Sequence, residues 1–174
     1  MAAVYQALNF TPATPEHAAA LAELHGAAAR RVVEVYGPGP WGHGLSERSV
    51  ARSLGAASVV VAWRGGEVVG TATLTRKKPW AIDLGYFQPV RAALYLVNMA
   101  VHPHHQRQGV GRALLDHCAV LAREGSALAL RLDAFDGAAG AGAFYARCGF
   151  REVGRKVYRG TPLVYFELLL APAG

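Results

Sequence analysis

The chain has 174 residues, 52% of them hydrophobic and 17% charged, and 18 Lys and Arg against 12 Asp and Glu give a formal net charge of +6. That length fits one domain, and the apolar share suits a packed core and excludes intrinsic disorder. The excess of cations favours anionic ligands, either a phosphorylated cofactor or nucleic acid. The only cysteines, Cys118 and Cys148, exclude a disulfide framework and a cysteine-rich zinc site. No run of about 18 apolar residues offers a membrane span. The opening MAAVYQALNF lacks the basic-then-apolar pattern of a secretory signal, so a cytoplasmic location is expected.

Residues 4–10 alternate loosely and predict a first strand. Thr14-Pro15-Glu16 reads as a helix start, with Thr as N-cap, Pro at the first helical position and an acid in the first turn. Leu21, Leu24, Ala28, Val32 and Val35 follow at spacings of three and four, forming one apolar face, and Gly37-Pro38-Gly39-Pro40 ends that helix. Ser46 caps a short second helix in which Val50 and Leu54 share a face. The β-branched runs 58–64 and 67–76 flank Gly65-Gly66 and predict a hairpin.

Residues 77–93 read as a loop. Its rings Trp80, Tyr86 and Phe87 either pack over the sheet or line an acceptor pocket, and in the second case Asp83 would attract a cationic amine. A strand at 94–101, a helix at 109–124 lined by Val110, Leu114, Cys118 and Leu121, a strand at 127–134 and a short helix at 138–147 come next. Strands at 150–158 and 163–170 close the chain, joined by a turn at Gly160-Thr161-Pro162. The order β-α-α-β-β-β-α-β-α-β-β predicts an α/β or α+β sheet with helices on its faces.

The informative stretch is LYLVNMAVHPHHQRQGVGRALL, residues 94–115. A strand runs into a loop, and Gln106-Arg107-Gln108-Gly109-Val110-Gly111-Arg112 opens a helix whose first N–H groups lack intrahelical acceptors and carry the positive end of the dipole. Gly109 and Gly111 let an anion approach the backbone, and Arg107 and Arg112 supply charge. A P-loop would need Gly-Lys-Ser/Thr where Arg112-Ala113 stands, and a dinucleotide fingerprint would need Gly at Leu114. His102, His104 and His105 invite a metal, but no acid or Cys stands at ligand spacing, so no metal is expected.

The pattern Gln/Arg-x-x-Gly-x-Gly/Ala after a strand ending in Val-His-Pro resembles the acetyl-CoA-binding motif of the GNAT superfamily of N-acyltransferases. Downstream, Phe144-Tyr145-Ala146-Arg147-Cys148-Gly149-Phe150 is similar to that family's Phe-Tyr-x-x-x-Gly-Phe segment. One departure is Ala138, where many members carry a cofactor-contacting Asn. The resemblance implies a single GNAT-like domain over residues 1–174, with a central mixed, mostly antiparallel sheet. It implies that the backbone of Met99, Ala100 and Val101 pairs with the pantetheine arm of acetyl-CoA. The amides from Arg107 to Arg112, preceded by Gln106, would hold the pyrophosphate, and Tyr145 would act as general acid beside the sulfur.

The expected activity is acetyl transfer to a primary amine of a small molecule or peptide, by direct attack through a ternary complex. Two alternatives stay open: a CoA-binding sensor without turnover, and an acetylase of an RNA-linked amine. The dispersed cations, without interleaved aromatics, speak against a nucleic-acid partner, and a homodimer is compatible with the sequence. His102, Asp83, Glu34 or a water chain could serve as general base; Asn98 cannot.

Overall fold

The computed structural model describes residues 7–171. Seven strands, β1 Asn9–Pro12, β2 Ser58–Arg64, β3 Glu67–Thr75, β4 Ala93–Val101, β5 Ala129–Phe135, β6 Arg151–Tyr158 and β7 Thr161–Leu169, form one sheet in the order β1-β2-β3-β4-β5-β7-β6. Neighbours are antiparallel except β4 and β5, which are parallel and joined through α3, Val110–Glu124. The remaining helices are α1, Ala18–Tyr36, α2, Glu47–Leu54, and α4, Gly142–Arg147. This is the mixed, mostly antiparallel α/β architecture expected from the sequence. Among the described residues no helix is long and apolar enough to cross a membrane.

Local chemistry accounts for most boundaries. Gly65 and Gly66 both have positive φ, at 59° and 84°, the two-residue turn that matches strand twist. Ser46 accepts the Ser49 N–H at 3.2 Å and caps α2, and Gly37 ends α1 at φ 80°.

Several expectations shift. The first strand was placed at 4–10; residues 4–6 lie outside the described ones, and β1 continues past Phe10 to Pro12. The last hairpin turns at Arg159-Gly160, φ 48° and 81°, rather than at Gly160-Thr161-Pro162. Pro162 is therefore in β7, opposite Val157. The helix expected from 138 begins only at Gly142, because the chain folds tightly back at Gly140, where a Cβ would lie 1.8 Å from the Phe135 carbonyl oxygen. Strand β5 begins at Ala129, not 127.

The sheet is covered on both faces. Leu94, Leu96, Leu130, Leu132, Val164 and Phe166 pack with Val110, Leu114 and Cys118 of α3. Burial pushes the Cys118 thiol up to about 12, which makes it an inert core residue. On the opposite face, Leu21 of α1 and Val50 of α2 cover Val59 and Val61. Ile82 and Phe87, from the segment between β3 and β4, cover Tyr95, Leu163 and Tyr165. A buried ion pair joins β5 to β7 on this second face: Arg131 Nε donates to Glu167 Oε1 at 3.0 Å, and Arg131 also donates to the Gln88 carbonyl.

His25 of α1 lies against Thr71, Thr73 and Asn98 on that face, and burial lowers its imidazole from 6.5 to about 4. The folded state thus holds His25 neutral where the unfolded chain binds a proton, so stability is full above the ordinary imidazole value and declines as the pH is lowered toward 4. Melting temperatures of wild type and His25→Gln, measured from about pH 7 down to about pH 4.5, should converge or cross, with the flatter profile in the variant. Parallel profiles would show that His25 is not the group that titrates.

Candidate active site

The site begins with a strand that loses its partner. Strand β4 pairs with β5 only from Ala93–Ala129 to Tyr95–Arg131, and the two then part. On its other edge β4 stays paired with β3 as far as Val101, but Thr73 faces Val97 while Thr71 faces Ala100, so three steps on β4 match two on β3. The extra residue is a bulge around Asn98, whose φ is +50°, a conformation Asn tolerates better than most residues. The bulge shifts the alternation, since Leu94 and Leu96 pack on the α3 side and so do Met99 and Val101. Bulges also bend the strand that carries them and increase its twist. Beyond Tyr95, the inner edge of β4 is left without a neighbouring strand.

From Val101 the chain passes a single helical turn, Pro103–His105, and reaches α3 through Gln106–Gly109. Arg107 and Gly109 both hold positive φ, at 59° and 81°. Such alternation curls successive N–H groups around a concavity suited to an anion, and Gly109 is also the N-cap of α3. Nothing lies within 4 Å of a Cβ built on Gly109, so glycine is required there by the backbone angle rather than by crowding.

A cleft of about 420 Å³ lies between β4, this loop and α4. It brings together Met99, Ala100 and Val101 with Gln106, Arg107, Gly109, Gly111 and Arg112, and Tyr145 stands on its far wall. Two residues expected at this site do not line it. The Gln108 side chain turns away to accept from Arg64 at 2.6 Å and to donate to the His104 carbonyl at 2.7 Å. The Val110 side chain is buried in the core. Gly111 lines the cleft and has a second use: a Cβ would lie 3.0 Å from Phe144 Cζ, so its bareness also admits the Phe144 ring and seats α4 against α3. Arg112 ties the same helices by donating to the Arg147 carbonyl at 2.8 Å. Gln106 donates to the Val101 carbonyl at 3.1 Å and fixes the end of β4.

Tyr145 packs its ring against Phe150 and Phe166, while its hydroxyl reaches Met99 Sδ at 3.9 Å. Burial, followed by the nearby Asp133 carboxylate, raises its phenol well above the ordinary range. The proton therefore stays on the oxygen at neutral pH. Ala138 lies in the turn before α4, whereas Ala141 reaches the cleft.

None of the side chains considered as base faces this cleft. Asp83 binds Lys156 at 2.6 Å and the Gly85 N–H at 3.0 Å, and these partners lower its carboxyl. Glu34 pairs with Arg31 on the exposed surface of α1. His102 accepts from the His104 N–H and, with His104 and His105, lines a separate cleft beside Glu23 and Glu67. Among the described residues no group of three or more His, Cys, Asp or Glu is arranged to hold a metal. Two rings of the segment between β3 and β4 pack over the sheet, Phe87 buried and Tyr86 against Tyr165, whereas Trp80 is 82% exposed.

The carboxylate that sequence reasoning missed is Asp133. Leu130, Leu132 and Ala134 of β5 pack toward α3, so Asp133 points to the opposite face, just past the point where β4 and β5 separate. Burial raises its carboxyl above the usual range, an effect that its own backbone N–H only partly offsets. The available signal was a single acid within the otherwise apolar run LDAF at the end of a strand.

A parted pair of parallel strands, a helix N-terminus below the gap and a tyrosine across it define an acyl-transfer scaffold, and comparison with known proteins agrees. The family model described as an acetyltransferase (GNAT) domain matches residues 55–152. The chain belongs to the GNAT acetyltransferase family and is an acyltransferase. The fold is shared with a GCN5-related N-acetyltransferase from Rhodopseudomonas palustris, at 22% identity over 98% of this chain and 100% of that one, TM-score 0.71. It is likewise shared with a ribosomal-protein-alanine N-acetyltransferase from Brucella melitensis, at 23% identity over 93% and 99%, TM-score 0.69. The yncA acetyltransferase of Salmonella typhimurium, solved with its cofactor acetyl-CoA, has 22% identity over 94% of each chain and TM-score 0.65. No curated protein matches the chain.

The left-handed turn at Gly109 is open to a direct test. Gly109→Ala should cost about 1–2 kcal/mol of stability, a fall in Tm of several degrees, while Gly109→Asn should cost clearly less. Equal melting temperatures for the two variants would mean that the loop is not held in that conformation.

Proposed function

We propose that the chain, acting as one domain over residues 1–174, moves an acetyl group from acetyl-CoA to a primary amine by direct attack in a ternary complex. The observation that carries this reading is the opening between β4 and β5, with a protonated Tyr145 at one mouth and Asp133 at the other. After burial, the Asp133 charge is the next cause that raises the Tyr145 phenol, which puts the two groups within electrostatic reach of each other.

The residues of the cleft suit acetyl-CoA on three counts. The unpartnered edge of β4 from Met99 to Val101 can take an extended amide-bearing arm as a sheet takes an added strand. The curled amides from Arg107 to Arg112 and the dipole of α3 suit a pyrophosphate. No hydrogen-bond or ion-pair partner is recorded for the Arg107 guanidinium among the described residues, which leaves it able to meet a further phosphate oxygen. When bound, acetyl-CoA supplies the activated acetyl thioester.

The chain's own groups manage the protons. An alkylamine is mostly protonated at neutral pH and must lose a proton to become nucleophilic. Asp133 is an anion facing the acceptor side, and its raised carboxyl makes it a better base than an ordinary aspartate. It attracts the ammonium and takes the proton onto a carboxylate oxygen. The amine nitrogen bonds to the acetyl carbonyl carbon and the C–S bond breaks; Tyr145 gives the phenol proton to the departing sulfur and regains one from the second proton that the new amide nitrogen sheds. Backbone groups of β4 hold the acetyl carbonyl in place between the two.

Steady-state kinetics across pH on three proteins tests this assignment. Tyr145→Phe keeps the ring and removes only the donor, so kcat should drop by roughly 10–1000-fold with acetyl-CoA affinity nearly unchanged. Asp133→Asn should lower kcat/KM for the amine by about 100-fold or more and abolish the acidic limb of the profile, which in wild type lies above the ordinary carboxylate range. Wild-type kcat in the first variant would make Tyr145 a packing residue, and a retained acidic limb in the second would remove Asp133 as base.

Cofactor binding is checked separately. Acetyl-CoA should raise Tm because it binds only the folded protein. Arg107→Glu should leave the free protein's Tm unchanged but weaken binding at least about tenfold, since a charge-assisted phosphate contact is replaced by repulsion. An unaltered ligand-induced shift would place the phosphates elsewhere.

A further inference from the structure

We propose that Trp41 and Phe135 form the wall that selects the acceptor, and that the acceptor is a primary amine carried on an aromatic or bulky aliphatic group with no carboxylate beside the nitrogen. The inference rests on the proposed acetyl transfer at the β4–β5 opening.

Phe135 is two residues beyond Asp133 on β5, so the two side chains leave the same face about 6.6 Å apart. The Trp41 ring meets Phe135 edge-on, with centroids 4.6 Å apart and planes at 61°. Trp41 comes from the segment between α1 and α2, and that segment is held in place. Its Nε1 donates to the Gly37 carbonyl at 3.1 Å. A Cβ on Gly39 would lie 2.3 Å from the ring, and one on Gly44 would lie 2.8 Å from the Gly26 backbone. One hydrogen bond and two glycine-dependent contacts thus bring one half-buried tryptophan to the end of β5.

A carboxylate with Phe135 one step along the same face of β5, and Trp41 against that ring, recognises an ammonium nitrogen attached to an apolar body. The anion receives the cation, and the rings bury the carbon frame and attract the positive charge through their faces. The same surface rejects a free α-amino acid, because the cations on neighbouring strand positions are already committed. Arg131 is bound to Glu167, and Arg155 is bound to Asp136 and Glu152. A substrate carboxylate would face Asp133 with no counter-charge. In this reading the anion and rings that the alternative of an acceptor pocket gave to Asp83, Trp80, Tyr86 and Phe87 come from other residues on other elements.

The test uses phenethylamine, ethylamine and phenylalanine as probes on the full chain, read by thiol release and by the Tm of the CoA-loaded protein. Wild type should favour phenethylamine over ethylamine by at least about tenfold in kcat/KM and should not acetylate phenylalanine. Trp41→Ala should collapse that ratio, Trp41→Phe should restore most of it, and Trp80→Ala should leave it intact. Equal use of the two amines by wild type, an unchanged ratio in Trp41→Ala, or acetylation of phenylalanine would overturn the proposal. A Trp41-dependent Tm rise with phenethylamine but no thiol release would sink the transfer reaction and keep the binding wall. The absence of both thiol release and a Tm rise with phenethylamine would overturn the wall itself.

Discussion

Everything at the candidate site depends on where two parallel strands stop pairing. Strands β4 and β5 share a ladder for three residue pairs, ending at Tyr95 and Arg131. One inserted residue near Asn98 then bends β4 while its other edge remains bonded to β3. Without that insertion, the β4 edge beyond Tyr95 would be expected to go on pairing with β5, and the gap would be closed by backbone hydrogen bonds. Because backbone groups seldom remain unpaired in a folded interior, a strand edge left open in the middle of a sheet is a site that an incoming chain-like ligand can complete.

The opening also separates two chemistries across the thickness of the sheet. On the α3 side lie the helix N-terminus, the arginines and the phenol, a region suited to anions and to giving up a proton. On the α1–α2 side lie Asp133 and the aromatic pair, suited to cations and to taking a proton. The apolar shell of Phe144, Phe150 and Phe166 around Tyr145 excludes water from the first, and burial holds the Asp133 carboxyl above its usual range in the second. Burial thus makes the phenol hold its proton more tightly and the carboxylate, once ionised, a stronger base, the direction that each proposed role calls for.

The anion-facing half of this arrangement was largely legible in the sequence, because it depends on short-range rules. A strand, a loop with Gly109 and Gly111, and an amphipathic helix are contiguous, so one local pattern locates the turn and the helix start. The hairpin at Gly65-Gly66 and the cap at Ser46 were legible for the same reason. The acceptor-facing half was not. Trp41 and Phe135 are about 90 positions apart and meet only because the α1–α2 segment folds to the end of β5, where Asp133 also lies. Asp83 misled for the mirror-image reason, since its partner Lys156 lies 73 residues away on an edge strand. The roles of individual glycines were also hidden, because whether Gly111 also receives the Phe144 ring depends on where α4 docks.

The buried pair of Arg131 and Glu167 has an effect on a residue it does not touch. Arg131 is two positions before Asp133 on the same face of β5, within reach to become its counter-ion. Glu167, presented from β7 directly opposite Arg131, together with the Gln88 carbonyl and the Phe87 ring, sequesters that guanidinium. Among the described residues, no cation offsets the effect of burial on the Asp133 carboxyl. Neutralising one charge thus leaves the neighbouring one unquenched: an acid on a strand with an arginine two residues away retains its full negative field, and the demand for positive charge at that spot passes to whatever molecule enters.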